Sequence, residues 1–394
     1  MLTKPSLTGA SFDQERSSRP VHLAAGVALV AVLIAGAAGD LFGAPACARR
    51  EFNEDAVRTV SMVPSPDGDL LVLDFRNRQI VRVDLPDGSW GAVPGAAGQA
   101  LKSQGPETIY GFGGGLLVRR ASTGDFVELD GRLGIKPGKP HRVTGIPDGE
   151  LREVRGIFLL QADGRDLVVC GDLYLGGADP KRTENWRSGV VRIPLDAPKS
   201  FEVLREFDID DRTVLGCRLA LPLIANLPGR RSYLLALEDR PRIYELRPGA
   251  EARPLTAFPE RFAFSPSLGE SSQPGKERIP DIFSYLENAT TPVGLFGWEG
   301  ALYLLTRSPA ADRGTDWWLT RIDPATDTVA GTVRLATRAN HLMVVPGDPY
   351  WALIEKGPVE NSYEDQDITG IVAVPAERIR AWKPGEVICG PTAP

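Results

Sequence analysis

The chain has 394 residues, a formal net charge of −6 and 42% hydrophobic residues. That apolar content excludes a wholly disordered chain, and the acidic balance excludes a general nucleic-acid binder, which needs a basic face to neutralise phosphates. Three histidines and four cysteines, with no C-x-x-C or H-x-x-x-H pair among them, leave no zinc site of the Cys/His type.

Residues 1–20 read as a short polar tail and residues 21–40 as an apolar helix. The run Val21–Gly39 contains no Asp, Glu, Lys or Arg. As a helix it is about 28 Å long, close to the hydrocarbon thickness of a bilayer. Two readings stay open: a single-pass membrane anchor with the first twenty residues inside, or a secretory signal cut after Ala44-Pro45-Ala46. Lipid attachment at Cys47 fits poorly, because Ala44 stands where a Leu-like residue belongs, and a buried core helix finds no helical partner in the chain. Both export readings put the bulk of the chain outside the cytoplasm, in the cell envelope. A composition heavy in Gly, Ala and Arg suggests a bacterial chain, for which that space is the periplasm.

From residue 50 to residue 394 one unit recurs. Its clearest copy is Ser65–Val83, SPDGDLLVLDFRNRQIVRV: a Pro-Asp-Gly turn, the apolar strand Leu70–Asp74, a second turn, and the strand Ile80–Val83. Similar units open at Val57, Glu107, Glu153, Arg218, Pro292 and His341. Each reads as four strands with a Gly-containing turn after the first, and no long amphipathic helical pattern intervenes. A lone hairpin is marginal in water, so the units must stack. Radial repetition of four-stranded sheets protects their edges, which predicts an all-β fold, a β-propeller of six four-stranded blades following the N-terminal apolar helix. A seventh blade requires strands hidden in Phe262–Leu286. The last strand of blade six is expected in EVICG, residues 386–390.

Asp74, Asn77, Arg78 and Ile80 carry a resemblance. An apolar strand ending in Asp, then Asn and a basic residue, then the next strand, resembles the hairpin of NHL-repeat and gluconolactonase-like six-bladed propellers. That likeness supports the fold over residues 50–394; the scaffold hosts many unrelated functions. In gluconolactonase-like enzymes, Glu, Asn and Asp oxygens surround a calcium-like ion in the central channel. The resemblance implies Glu107, Asn340 and Glu153 as this chain's offering for Ca2+, hard oxygen donors for a hard cation. His341 beside them is the one candidate general base.

Ring closure brings the chain ends together, so a Cys47–Cys389 bridge is expected in an oxidising compartment, and Cys170–Cys217 is a second pairing between neighbouring blades. For each cysteine the alternative is a small buried hydrophobe. The long excursions all join second to third strands or one blade to the next, which places them on one face. Trp186, Trp317, Tyr363, Glu364 and Asp365 are therefore expected to contact a ligand there, with Arg155, Asn340 and His341 at the channel mouth. Trp317-Trp318 also reads as one core ring and one surface ring. Two functions remain: a membrane-tethered or secreted module binding a protein or small molecule, or a calcium-dependent lactonase or esterase working in the channel.

Overall fold

The computed structural model describes most residues from 47 to 389; residues 1–46, 52–60, 94–101, 144–151, 176–185, 208–222, 260–289, 357–367 and 390–394, with a few shorter gaps, lie outside the description. The apolar run of residues 21–40 is among those outside. Among the described residues no helix is long and apolar enough to cross a membrane.

Strand β1 (Ala48–Glu51) is followed by blade 1, formed by β2 (Met62–Pro64), β3 (Leu70–Asp74), β4 (Gln79–Val83) and β5 (Trp90–Ala92). Blade 2 has β6 (Pro106–Phe112), β7 (Gly115–Arg120) and β8 (Phe126–Leu129), with bridges from Ile135 and His141 along its open edge. Blade 3 has β9 (Arg152–Asp163), β10 (Asp166–Leu175), β11 (Trp186–Pro194) and β12 (Glu202–Phe207). Blade 4 has β13 (Leu223–Leu227), β14 (Arg231–Leu237), β15 (Pro241–Leu246) and β16 (Arg253–Pro254). Blade 5 has β17 (Thr291–Trp298), β18 (Ala301–Pro309), β19 (Thr315–Asp323) and β20 (Thr328–Leu335). Blade 6 has β21 (His341–Val345), β22 (Tyr350–Lys356) and β23 (Ile368–Pro375). A short helix α1 (Ala376–Ala381) and strand β24 (Val387–Ile388) end the described chain.

First strands of successive blades neighbour one another: β21 against β2, then β6, β9, β13 and β17 in turn. They line the axis, so the first-to-second-strand turns share one face and the starts of the first strands share the other. Six apolar clusters lie between adjacent blades and close the ring. Leu73 and Val118 share one cluster, Phe126 and Val169 the next, then Val190 and Leu234, Leu235 and Leu304, Leu319 and Trp351, and Ile354 and Val72. This explains the continuous apolar runs. A middle strand is covered on both faces, so Val72 serves one interface and Leu73 the other, and both are fully buried.

The motif that carried the resemblance has a physical basis. Asp74 is fully buried, and its carboxylate accepts the Asn77 backbone N–H at 3.2 Å, the Asn77 side-chain amide at 2.6 Å and the Gln79 amide at 3.2 Å. An Asp that closes a turn onto its own chain holds the hairpin shut.

Two expectations need correction. Blade 6 takes its outer strand from the start of the domain: β1 pairs antiparallel with β23, Ala48 opposite Ala373. The EVICG segment instead supplies β24, which runs parallel to β20 as a fifth strand of blade 5, so the blades are not uniformly four-stranded. Both edges are short, and Cys47 and Cys389 join them in a disulfide with Cα atoms 5.5 Å apart. Cys170 is buried on β10; Cys217 lies outside the described residues.

Candidate functional site at the starts of the inner strands

Three of the six inner strands carry one extra residue near their first end. In β6 the register passes from Pro106 opposite Arg120 to Thr108 opposite Arg119, so Glu107 is unpaired in the ladder. In β9, Val154 faces Leu173 and Gly156 faces Asp172, which leaves Arg155 extra. In β17, Pro292 faces Thr306 and Gly294 faces Leu305, leaving Val293 extra and 39% exposed. A bulge rotates its extra residue away from the alternation that the rest of the strand obeys, and such bulges gather at rims and beside binding sites. The backbone thus takes Glu107 out of the alternation, and Arg155 is the extra residue at the corresponding place in β9.

Glu107 is half-exposed and lies 3.5 Å from the Arg119 guanidinium. Its carboxylate thus already has a cation beside it, which weakens its fit to a calcium ion. Glu153 pairs with Tyr174 in the β9–β10 ladder, but its side chain, like those of Arg155 and Trp186, is outside the description. Asn340, Tyr363, Glu364 and Asp365 are outside it entirely. Among the described residues no group of three metal-ligating side chains forms.

Trp317 is a correction. It is 1% exposed, packs in the cluster between blades 5 and 6, and donates its indole N–H to the Ala339 carbonyl at 2.8 Å. The ring that was expected on the ligand face fills the core, because position 317 falls on the side of β19 that faces blade 6. Trp318, on the other side, is half-buried.

His341 opens β21 and stands opposite Lys356 at the end of β22. Partial burial, then the cations of Arg307 and Lys356, hold the His341 imidazole below its usual pKa. A neutral ring is the form that can take a proton, so the general-base chemistry expected of it is open to it. Lys356 itself is 4% exposed, and burial pushes its ammonium down to about 8. Next to it the 3%-exposed Glu355 accepts the Thr337 hydroxyl at 2.5 Å and pairs with Arg49 of β1 at 2.9 Å. Thr369, the extra residue of a further bulge between β22 and β23, donates to the Glu355 carbonyl at 3.2 Å. The first-strand face at blades 5 and 6 is therefore built from Arg307, His341 and Lys356, with Glu355 turned toward the closure strand. Lys356 and Arg307 were not legible as site residues. A lysine before Gly-Pro reads as loop, and its burial follows from pairing with a strand that begins fifteen residues earlier.

The buried lysine predicts a pH dependence. Its folded pKa lies below the unfolded value of 10.5, so between about 8 and 10.5 the unfolded chain holds more protons than the folded one. Stability then rises with pH across that window, and below it the folded state bears the cost of a desolvated ammonium. Lys356→Met should flatten the dependence between those limits, so its stability relative to wild type should be higher at pH 7 than above pH 10.5 by about 3 kcal/mol. Urea titrations at several pH values check both.

No protein-family model matches the chain, and no curated protein matches its sequence. Solved structures do. One is a member of the DUF4221 family from Bacteroides vulgatus, at 11% identity and a TM-score of 0.48, covering 84% of this chain and 96% of that one. Another is the virginiamycin B lyase of Staphylococcus aureus, at 10% identity and a TM-score of 0.38, with 83% and 99% covered. A third is the PQQ-bound aldose sugar dehydrogenase of Streptomyces coelicolor, at 16% identity and a TM-score of 0.41, with 84% and 99% covered. The six-bladed arrangement rests on this chain's own strand order and the neighbouring of its inner strands. At such identities the likeness carries no function across.

Proposed function

We propose that this propeller is a binding module working outside the cytoplasm, membrane-tethered through residues 21–40 or secreted after their removal. Its ligand, a protein or a small molecule, sits over the starts of the inner strands. The observation that carries this reading is the set of bulges in β6, β9 and β17, which turn Glu107, Arg155 and Val293 out of the ladder at one end of the axis. Arg119 and Arg307, near the ends of β7 and β18, and His341, at the start of β21, lie toward the same end of the axis, so the mouth suits a ligand with an anionic group. The export half of the proposal is supported by the apolar run and by the Cys47–Cys389 bridge, since structural disulfides persist mainly in oxidising compartments.

Two measurements test it. Alkaline phosphatase fused after residue 389 should be active in a bacterial host when residues 1–46 are present and inactive when they are deleted. Activity that ignores the deletion would end the export reading. In a thermal-shift series, citrate and gluconate should stabilise the wild type more than Arg155→Ala. If calcium raises the melting temperature and the protein turns over lactone or ester probes, the channel hydrolase replaces the binding module.

A further inference from the structure

On the opposite face, the first-to-second-strand turns of blades 1, 2 and 6 and the segment after β8 enclose a cleft of ≈ 450 Å³. That volume falls in the range that holds small molecules. Its wall mixes apolar and polar groups. Leu71, Phe112, Leu116 and Leu133 contribute to it, yet each is exposed by 4% or less. The polar part of the lining is glycine backbone, the Arg82 guanidinium and the carboxylates of Asp130 and Asp348, with the 7%-exposed Ser65 hydroxyl beside them accepting the Asp67 N–H at 3.3 Å.

The glycines separate by cause. Gly114 has φ +78°, a turn conformation that side chains rarely adopt, and a Cβ on Gly115 would come within 2.1 Å of the Leu129 carbonyl oxygen. Gly111 has neither reason. It lies in strand β6 opposite Leu116, its backbone is not left-handed, and an added Cβ would meet nothing within 4 Å. A glycine inside a strand weakens it, and one not needed by the backbone marks a place where something else approaches closely. The space left by Gly111 is the cleft.

Charge and hydrogen bonding narrow the occupant. Arg82 is 44% exposed and sits 3.5 Å from Asp69 and 3.8 Å from Asp67, longer than charge-assisted hydrogen bonds, so its N–H groups retain capacity for a ligand. With Asp67 and Asp69 behind it, Asp130 on another wall and Asp348 paired with Arg380 at 3.3 Å, carboxylates outnumber cations around the cleft, which opposes an anion. A purely hydrophobic ligand would leave these charged groups without partners, although apolar atoms make up the larger part of the lining. A molecule whose groups each donate and accept matches guanidinium, hydroxyl, carboxylate and peptide groups together. We propose that this cleft binds a neutral polyhydroxylated ligand the size of a mono- or disaccharide, on the face opposite the site proposed above and independently of it.

The test uses the full chain, purified without sugar-headed detergent, and ligand-observed NMR with glucose, sucrose and maltose, with gluconate as the anionic counterpart. At least one neutral sugar should bind saturably and gluconate should not compete with it. Gly111→Val should weaken that binding about tenfold or more, equivalent to 1.4 kcal/mol, with an unchanged melting temperature. If that variant misfolds, Arg82→Gln on the half-exposed β4 position gives the same readout. No binding by any of the three sugars, displacement of the bound sugar by gluconate, or wild-type affinity in the folded variants would each overturn the proposal.

Discussion

Replacing Cys47 and Cys389 together by serine lowers the stability of the propeller by about 5 kcal/mol, and reducing agent lowers the wild type equally while leaving the variant unchanged. The size follows from loop length. The bridge spans 342 residues, nearly the whole described ring, so it removes much of the freedom of the unfolded chain. The two strands it joins also depend on it. β1 supplies four residues to blade 6 and β24 pairs with β20 through Arg334–Val387 and Leu335–Ile388 alone. Both half-cystines pack against the cluster between blades 5 and 6, so the bridge sits at the seam of the ring. Natural domains are stable by about 5–15 kcal/mol, which makes this loss a large fraction of the whole. Urea titrations of the oxidised, reduced and double-serine proteins measure it. A difference below about 1 kcal/mol would mean that pairing and packing close the ring unaided.

Arg192→Ala should cost about 3–5 kcal/mol, the range for removing one partner of a buried ion pair. Arg192 is fully buried, with its guanidinium 2.6 Å from Asp163 and 3.2 Å from Asp166 across the β9–β10 turn. It also donates to the Arg230 carbonyl at 3.2 Å and the Ser232 hydroxyl at 3.0 Å, which binds the turn of blade 3 to that of blade 4. Truncation leaves a cavity, Asp163 without its cation, Asp166 with Arg230 alone at 3.2 Å, and two acceptors without a donor. Arg192→Lys restores only part of this, because an ammonium cannot reach four oxygens set around a planar fork. Adding Asp163→Asn to the alanine variant should recover stability by removing the unpaired charge, a coupling that a double-mutant cycle resolves. An alanine variant within about 1 kcal/mol of wild type would show that water solvates the turn and the clamp is incidental.

Much of the fold is legible from local pattern. The run LLVLD reads as a strand buried on both faces because its neighbours on both sides are blades, and Asp74 with Asn77 reads as a closed turn because the contact is three residues long. Trp317 shows where that reading stops. Period-two alternation says that Trp317 and Trp318 point opposite ways, but not which way is inward. The burial of Lys356 and the bulges at Glu107 and Arg155 are harder still. A bulge shifts register by one residue, and that shift is defined by the partner strand rather than by the strand itself.

Alternating apolar runs and Gly-containing turns, repeated along the chain, suffice to require many small antiparallel sheets stacked around an axis. Strand and turn preferences act within a few residues, and a unit that cannot bury its own faces must find neighbours. Which chain end supplies the outer strand of the closing blade, why EVICG leaves that blade for its neighbour, and which polar groups the bulges and the Gly111 cleft present are decided only when the ring closes. Those outcomes depend on contacts between residues hundreds of positions apart, whose energies no local pattern contains.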